Sequence, residues 1–298
     1  MSSRVPRGAL IVTMIATATA FAVSSPASAA SSATANEAAA NEYVALGDSY
    51  TSAPLVLPIA PGAPLDCEQS AVNYPHLVAK ALGVSPHGVS LHDVSCGGAT
   101  VSNMTQAQSP DQPPQFDALT QDTSIVTLGI GGNDDSTFET AVAGCGALDV
   151  GDVIDYGAPC QAAFGSSFAE HIAADAPNIA AALRRIHQLS PNARVFVVGY
   201  PDILPQQGNC YPRMPLTTGD VRYLNGVERD LNGMLRQQAA SNGATFVDTY
   251  DVSIGHDACQ PEGTRWVEPM VPSTDAISVH PNAAGESAMA KRVEAAID

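Results

Sequence analysis

The chain has 298 residues, of which 45% are hydrophobic and 14% are charged. Its 30 acidic residues outnumber its 13 basic residues and give a formal net charge of −17 at pH 7. A surface of this sign repels phosphate backbones and anionic head groups, so we expect no nucleic acid partner.

The first 29 residues have the order of a secretory signal peptide. Arg4 and Arg7 precede an apolar run over residues 9–23, and small residues follow and end at Ala29. The run is shorter than the roughly 20 apolar residues that a membrane span requires. We therefore predict cleavage after Ala29, a secreted protein and no stable membrane span. Residues 30–42 contain few bulky apolar side chains, which predicts a disordered leader before one domain over 43–298.

Strand-like and helix-like runs alternate along the domain. Short runs rich in Val, Ile, Thr and aromatic residues predict strands over 43–47, 89–95, 123–130, 194–200 and 245–250. Helical spacing of apolar residues predicts helices over 74–83, 167–190, 220–243 and 282–298. This alternation favours an α/β fold in which helices cover both faces of a parallel sheet. Ligands of such sheets bind beyond the carboxyl ends of the strands.

Three of the predicted strands are followed by motifs that could carry chemistry. The stretches "GDSY" (47–50), "CGGAT" (96–100) and "GGND" (131–134) follow the first, second and third strand. A nucleophilic serine such as Ser49 requires a base, a group that orients the base, and hydrogen-bond donors for the developing negative charge. Glycine leaves backbone N–H groups accessible, and the Asn133 amide could face the same point. Taken singly, each motif is also typical of a turn or a helix cap, and we interpret Asp48 as bracing its turn.

The stretch "HPNAAG" near the C-terminus offers the base. His280 precedes a proline, which favours an extended conformation for the histidine and suits the first turn of a helix. A helix N-terminus disfavours the imidazolium and keeps the ring available as a base. The other six histidines lie in predicted helices, loops or strand edges, where surface or capping roles are expected.

Six cysteines form an even set that is expected to be oxidised in an exported protein. The sequence alone leaves their pairing open, although sequential pairing closes the shortest loops. The chain has no Cys-x-x-Cys or His-x-x-His spacing of the kind that zinc sites use, so we expect no metal.

The four motifs in this order, together with the cysteine pattern, resemble the SGNH/GDSL hydrolase family and its secreted actinobacterial lipase and esterase branch. The resemblance covers nearly the whole mature chain. It implies a three-layer α/β/α flavodoxin-like domain with a central parallel five-stranded sheet, which hydrolyses esters without a cofactor or metal. It further implies the nucleophile Ser49, the base His280, oxyanion donors from the Ser49 and Gly98 backbone and the Asn133 side chain, and the disulfides Cys67–Cys96, Cys145–Cys160 and Cys210–Cys259.

Two positions depart from the family pattern. Many members carry Asp three residues before the histidine, where this chain has Ile277, and the nearest acid is Asp275. Either Asp275 reaches the imidazole, or a main-chain carbonyl near Ile277 orients it in a Ser–His pair, which we favour. Ala53 and Pro54 stand where relatives often have small residues and glycine, so we expect a reshaped substrate entrance.

Our prediction from the sequence is a secreted, monomeric serine esterase or lipase that acts on carboxylic esters, above all acyl lipids, without a cofactor. A carbohydrate or cell-wall deacetylase on the same fold is the first alternative, and a non-catalytic surface or adhesion protein is the second. The long loops 52–66 and 260–276 contain apolar residues among their prolines. They could wall an acyl site or simply cover the core.

Overall fold

A computed structural model of the chain describes residues 42–83, 89–151 and 154–298. The predicted signal peptide, 1–29, lies outside the described residues, as does the predicted leader except for its last residue. That residue, Glu42, is the first residue of the first strand, whereas the sequence analysis places it in the leader.

A five-stranded sheet forms the centre of the molecule. Its strands lie in the order β2-β1-β3-β4-β5, and every pair of neighbours is parallel. The strands are β1 Glu42–Gly47, β2 Ser90–Asp93, β3 Thr123–Gly129, β4 Arg194–Val198 and β5 Thr245–Val247. The prediction of a central parallel five-stranded sheet is confirmed. Several strands end earlier than predicted because the chain leaves the ladder there to form loops at the carboxyl edge.

The described helices include the four that the sequence predicts. They are α1 Ser49–Ser52, α2 Tyr74–Ala81, α3 Thr137–Glu139, α4 Cys145–Asp149, α5 Pro159–Phe164, α6 Ser167–Leu189, α7 Thr218–Ser241, α8 Tyr250–Ser253 and α9 Ala283–Ile297. Single turns of 3₁₀-helix occur at 65–67, 101–104, 115–118 and 134–136, and a π-helical turn covers 140–144. The predicted helices α2, α6, α7 and α9 end within two residues of their expected bounds. The helical segments between residues 134 and 164 were not predicted.

The sheet separates two apolar cores, because successive strand residues point to opposite faces. Val126 and Leu128 of β3 belong to the core under α6 and α7. Tyr43 of β1 and Phe196 and Val198 of β4 belong to the opposite core under α2 and α9. The three layers of the α/β/α fold are thus present.

Helix α9 runs from the carboxyl edge of the sheet, where it follows His280, to the amino edge. At the amino edge the guanidinium of Arg194, the first residue of β4, donates to the carbonyl oxygens of Ile297 at 2.5 Å and Ala296 at 3.1 Å. These bonds satisfy carbonyl groups in the last turn of the helix, which have no intrahelical partner.

Three disulfides cross-link segments outside the sheet, and one of them joins α4 to α5. They join Cys67 to Cys96, Cys145 to Cys160 and Cys210 to Cys259, which are the pairings that the family resemblance implies. Across the described part of the chain, no helix combines the length and the apolar character of a membrane span.

Candidate active site

Ser49 lies in the turn between β1 and α1. Asp48 caps α1, since its Oδ1 accepts a hydrogen bond of 2.9 Å from the backbone N–H of Tyr50. Position 47 must be glycine, because a Cβ atom there would lie 2.2 Å from Oγ1 of Thr51. The "GDSY" motif therefore fixes a tight strand-to-helix turn that presents the serine at the carboxyl edge of the sheet.

The structure brings His280 directly onto Ser49. The imidazole Nε2 lies 2.8 Å from Oγ of Ser49, and Nδ1 lies 2.8 Å from the carbonyl oxygen of Ser278. A carbonyl can only accept, so Nδ1 carries the proton and Nε2 accepts from the serine hydroxyl. The orienting group is thus a main-chain carbonyl next to Ile277. In the described structure Asp275 makes no hydrogen bond to the imidazole.

The backbone between Ser278 and His280 is strained. Val279 has φ +64°, a left-handed conformation that a β-branched residue rarely adopts. Its N–H donates to the Glu268 carbonyl at 3.0 Å, and its carbonyl accepts from the Tyr50 hydroxyl at 2.5 Å. Tyr50 therefore connects the serine helix to the histidine loop, a role that the sequence analysis missed.

The imidazole of His280 is enclosed by aromatic rings. Its centroid lies 4.7 Å from that of Tyr50 and 5.4 Å from that of Phe138, which meets it edge-on. Burial lowers the pKa of His280 to about 4, and the hydrogen bond from Nδ1 to Ser278 opposes this shift. Desolvation thus favours the neutral ring, and the contribution of the helix N-terminus stays a prediction.

Two of the predicted oxyanion donors are backbone N–H groups on adjoining loops. The N–H of Cys96 donates to the carbonyl of Gly47 at 3.0 Å, which attaches the "CGGAT" loop to the end of β1. Gly98 has φ +74°, which favours glycine. Within the described residues, neither the Gly98 N–H nor the Ser49 N–H has an acceptor.

The third predicted donor, Asn133, is tied to the same loop. Its Nδ2 donates to the carbonyl of Ala99 at 3.0 Å, and the second hydrogen of this amide stays available. The carboxylate of Asp134 accepts from the Val101 N–H at 3.1 and 3.2 Å. These bonds hold the loops that follow β2 and β3 together near the predicted donors.

A buried tyrosine links the ends of β1 and β3. The Tyr200 hydroxyl donates to Oδ2 of Asp48 at 2.5 Å and accepts from the Gly132 N–H at 2.9 Å. Burial raises the pKa of Asp48 to about 7, against the hydrogen bonds from Tyr200 and Tyr50. Tyr200 comes two residues after β4. A search of the residues at the strand ends, like the one that identified Ser49, would therefore have identified Tyr200 as well.

Uncharged amides from the loop 106–115 hold the strand ends in place. Gln115 makes two bonds to Gly47, accepting from its N–H at 2.8 Å and donating to its carbonyl at 2.9 Å. Gln108 donates to the carbonyl of Gly97 at 2.7 Å. Gln115 thus satisfies the backbone of Gly47 at the end of β1, on the side where the neighbouring strand β2 has already ended at Asp93.

The two apolar loops contribute little to the lining of the apolar cavity beside the site. Leu55, Leu57 and Ile59 of loop 52–66 are exposed, and Met270 is the residue of these loops that lines the apolar cavity beside the site. The described residues contain no group of three or more His, Cys, Asp or Glu side chains that could hold a metal ion.

A serine hydroxyl bonded to a buried neutral imidazole, with free N–H donors nearby, is the arrangement that serine hydrolases use. The sequence profile of the GDSL-like Lipase/Acylhydrolase family matches residues 45–288. The chain is 43% identical over 285 residues to Lipase 2 of Streptomyces coelicolor, with 93% of this chain and 94% of the relative covered.

Solved structures agree with this similarity. A phospholipase A1 from Streptomyces albidoflavus has a TM-score of 0.70 at 28% identity, with 86% of this chain and 98% of the other covered. An extracellular lipase from Streptomyces rimosus has a TM-score of 0.68 at 25% identity, covering 86% and 99%. The chain belongs to the GDSL-like lipase/acylhydrolase family and is a carboxylic ester hydrolase.

Proposed function

We propose that the protein is a secreted esterase or lipase in which Ser49 and His280 form the catalytic pair. The hydrogen bond of 2.8 Å between Nε2 and Oγ is the observation that carries the proposal. Oγ attacks the ester carbonyl carbon while Nε2 takes the hydroxyl proton. His280 then gives this proton to the leaving alcohol, which leaves an acyl-serine. Water, deprotonated by Nε2, hydrolyses the acyl-serine and restores the hydroxyl.

The negative oxygen of each tetrahedral intermediate is assigned to three donors, the N–H groups of Ser49 and Gly98 and the Nδ2 of Asn133. The free state of both backbone N–H groups supports this assignment, since a donor already used within the protein could not turn to the substrate. The carbonyl of Ser278 orients the imidazole and accepts the hydrogen bond from its Nδ1–H throughout the cycle.

An acyl chain is the substrate group that the surroundings of the site favour. An apolar cavity adjoins the pair, and its lining includes Phe138 and Val279, which contact or flank His280. The related proteins carry the names lipase, phospholipase A1 and esterase. These observations support acyl esters over acetylated carbohydrates.

Labelling with a fluorophosphonate followed by peptide mapping tests the nucleophile. We expect label on Ser49 and none in Ser49→Ala. Ser52→Ala is the matched control, because Ser52 is a buried serine of the same short helix whose hydroxyl has no hydrogen-bond partner in the part of the chain that the structure describes. This variant should be labelled like the wild type. Label on another serine would refute the assignment.

Turnover of p-nitrophenyl esters tests the oxyanion donors. Asn133→Ala should stay folded and lose about a hundredfold to a thousandfold in kcat, the usual effect of removing one donor. Asn178→Ala, which removes an amide bonded to Asp175, should keep its kcat. Equal kcat values for Asn133→Ala and the wild type would contradict the role.

Secretion and the monomeric state are the remaining parts of the proposal. Expression of the full chain in an exporting host should yield a protein whose N-terminal sequence begins at Ala30, and sedimentation should give the mass of one chain. Recovery of the uncleaved chain from the culture medium would contradict the predicted cleavage after Ala29.

A further inference from the structure

An apolar cavity lies between α6, α7 and the loops that carry the active site. Small-molecule sites are typically concave and lined mainly by apolar side chains with a few polar groups. Most of its walls are aliphatic or aromatic, with Ile172 from α6, Leu224 and Leu231 from α7, and Leu204, Met214 and Met270 from loops.

The cavity adjoins the Ser49–His280 pair through three of its lining residues. Gly132 precedes Asn133, Val279 precedes His280, and Phe138 meets the imidazole edge-on at 5.4 Å. An acyl chain whose ester carbonyl lies at Ser49 can therefore enter this space directly.

One carboxyl group, that of Glu228 on α7, interrupts the apolar lining. Among the described residues its Oε1 is buried without a hydrogen-bond partner, and its Oε2 lies 3.4 Å from the N–H of Ile203, which is a long contact. Burial, reinforced by the negative charge of Asp202 and opposed by Arg229, raises the pKa of Glu228 well above its usual range. The raised pKa favours the neutral acid, which can donate one hydrogen bond and accept others.

Glu228 lines the same cavity as Phe138 and Val279, the two lining residues that contact or precede His280. The acid is therefore part of the wall of the space next to the Ser49–His280 pair and does not lie on a remote face of the protein.

We propose that Glu228 is a specificity-determining residue that hydrogen-bonds an oxygen carried on the acyl chain, so that the preferred substrates are esters of hydroxy or oxo fatty acids. This inference rests on the proposed ester hydrolysis at Ser49. A plain hydrocarbon chain would seal the cavity and leave Oε1 unpaired. A chain with an oxygen at the matching carbon satisfies that atom, and buried polar groups of this kind discriminate strongly against ligands that lack the partner.

The test is a positional scan of substrates. We would measure kcat/KM for p-nitrophenyl decanoate and for decanoates that carry a single hydroxyl or oxo group at each carbon in turn. The wild type should favour one position, or two adjacent ones, by about tenfold or more over the plain chain. Glu228→Leu should abolish this ratio, and Glu228→Gln, which keeps a donor and an acceptor, should retain most of it.

The ratio between substrates is the readout because a merely structural role would lower kcat/KM for all esters alike. Glu286→Leu is the matched control, since Glu286 on α9 is also a buried carboxyl with a raised pKa whose Oε1 has no hydrogen-bond partner within 42–83, 89–151 and 154–298. Unlike Glu228, it does not line the cavity. The ratio of kcat/KM between the substituted and the plain decanoate should be the same for Glu286→Leu as for the wild type. Two results would overturn this inference alone. One is a wild type that hydrolyses decanoate but shows no preference for a position of the oxygen, and the other is a Glu228→Leu variant that keeps such a preference. Failure of the wild type to hydrolyse any ester overturns the proposed function and this inference with it.

Discussion

Replacing Phe138 by alanine should move the acid limb of the activity profile towards neutral pH. The Phe138 ring covers one side of the His280 imidazole, which is 6% exposed and whose pKa burial lowers from 6.5 to about 4. That difference corresponds to about 3 kcal/mol in favour of the neutral ring. Removing the covering ring admits water, which solvates the imidazolium and raises the pKa.

The pH dependence of kcat/KM reports the pKa of the base in the free enzyme. A base with a pKa of about 4 is roughly 97% neutral at pH 5.5, whereas one at 6.5 is only about 9% neutral. The wild type should therefore keep nearly full kcat/KM at pH 5.5. Phe138→Ala should lose up to about tenfold relative to its own value at pH 8. A short substrate, p-nitrophenyl acetate, avoids confusion with the cavity that Phe138 also lines.

Phe164→Ala is the matched control, because Phe164 stacks on Phe168 and makes no ring contact with His280. Its acid limb should coincide with that of the wild type, and circular dichroism at pH 5.5 should show that all three proteins stay folded. The reasoning is refuted if the wild type already loses activity near pH 6.5, or if Phe138→Ala leaves the limb unmoved.

Three further outcomes follow from single contacts. Tyr50→Phe removes the bond to the Val279 carbonyl but keeps the ring, so kcat should fall about tenfold with KM little changed; a fall in stability with unaltered kcat would contradict a positioning role. Arg265→Met leaves the fully buried carboxylate of Glu268 without its ion-pair partner and should cost about 3 kcal/mol in urea unfolding. Unchanged unfolding would disprove that dependence. Asp48→Asn offers one acceptor oxygen where the carboxylate offers two, and should lower both the melting temperature and kcat; a variant with wild-type values of both would contradict the bracing role.

The sequence predicted the sheet and the motif positions well because these depend on local signals. Short β-branched runs mark the strands, and the motifs follow the strand ends where the chain direction alone brings loops together. The short helices between residues 134 and 164 escaped prediction, since elements of three to six residues give no full period of apolar spacing.

The partners of the site residues depend on tertiary contacts that no local pattern records. Tyr50 reaches Val279 across 229 positions, and Tyr200 reaches Asp48 across 152. The sequence analysis favoured a main-chain carbonyl near Ile277 over Asp275 but did not single out Ser278. Any residue supplies a carbonyl, and the direction of this one follows from the backbone conformation of Val279.

The course of helix α9 has a practical consequence for engineering the protein. The helix is about 22 Å long and leads from the proposed catalytic histidine to the amino edge of the sheet. There Arg194 donates hydrogen bonds to carbonyl oxygens of its last turn. An affinity tag or a fused reporter attached after Asp298 would emerge on the far side of the sheet. Immobilisation through that end leaves the substrate approach open.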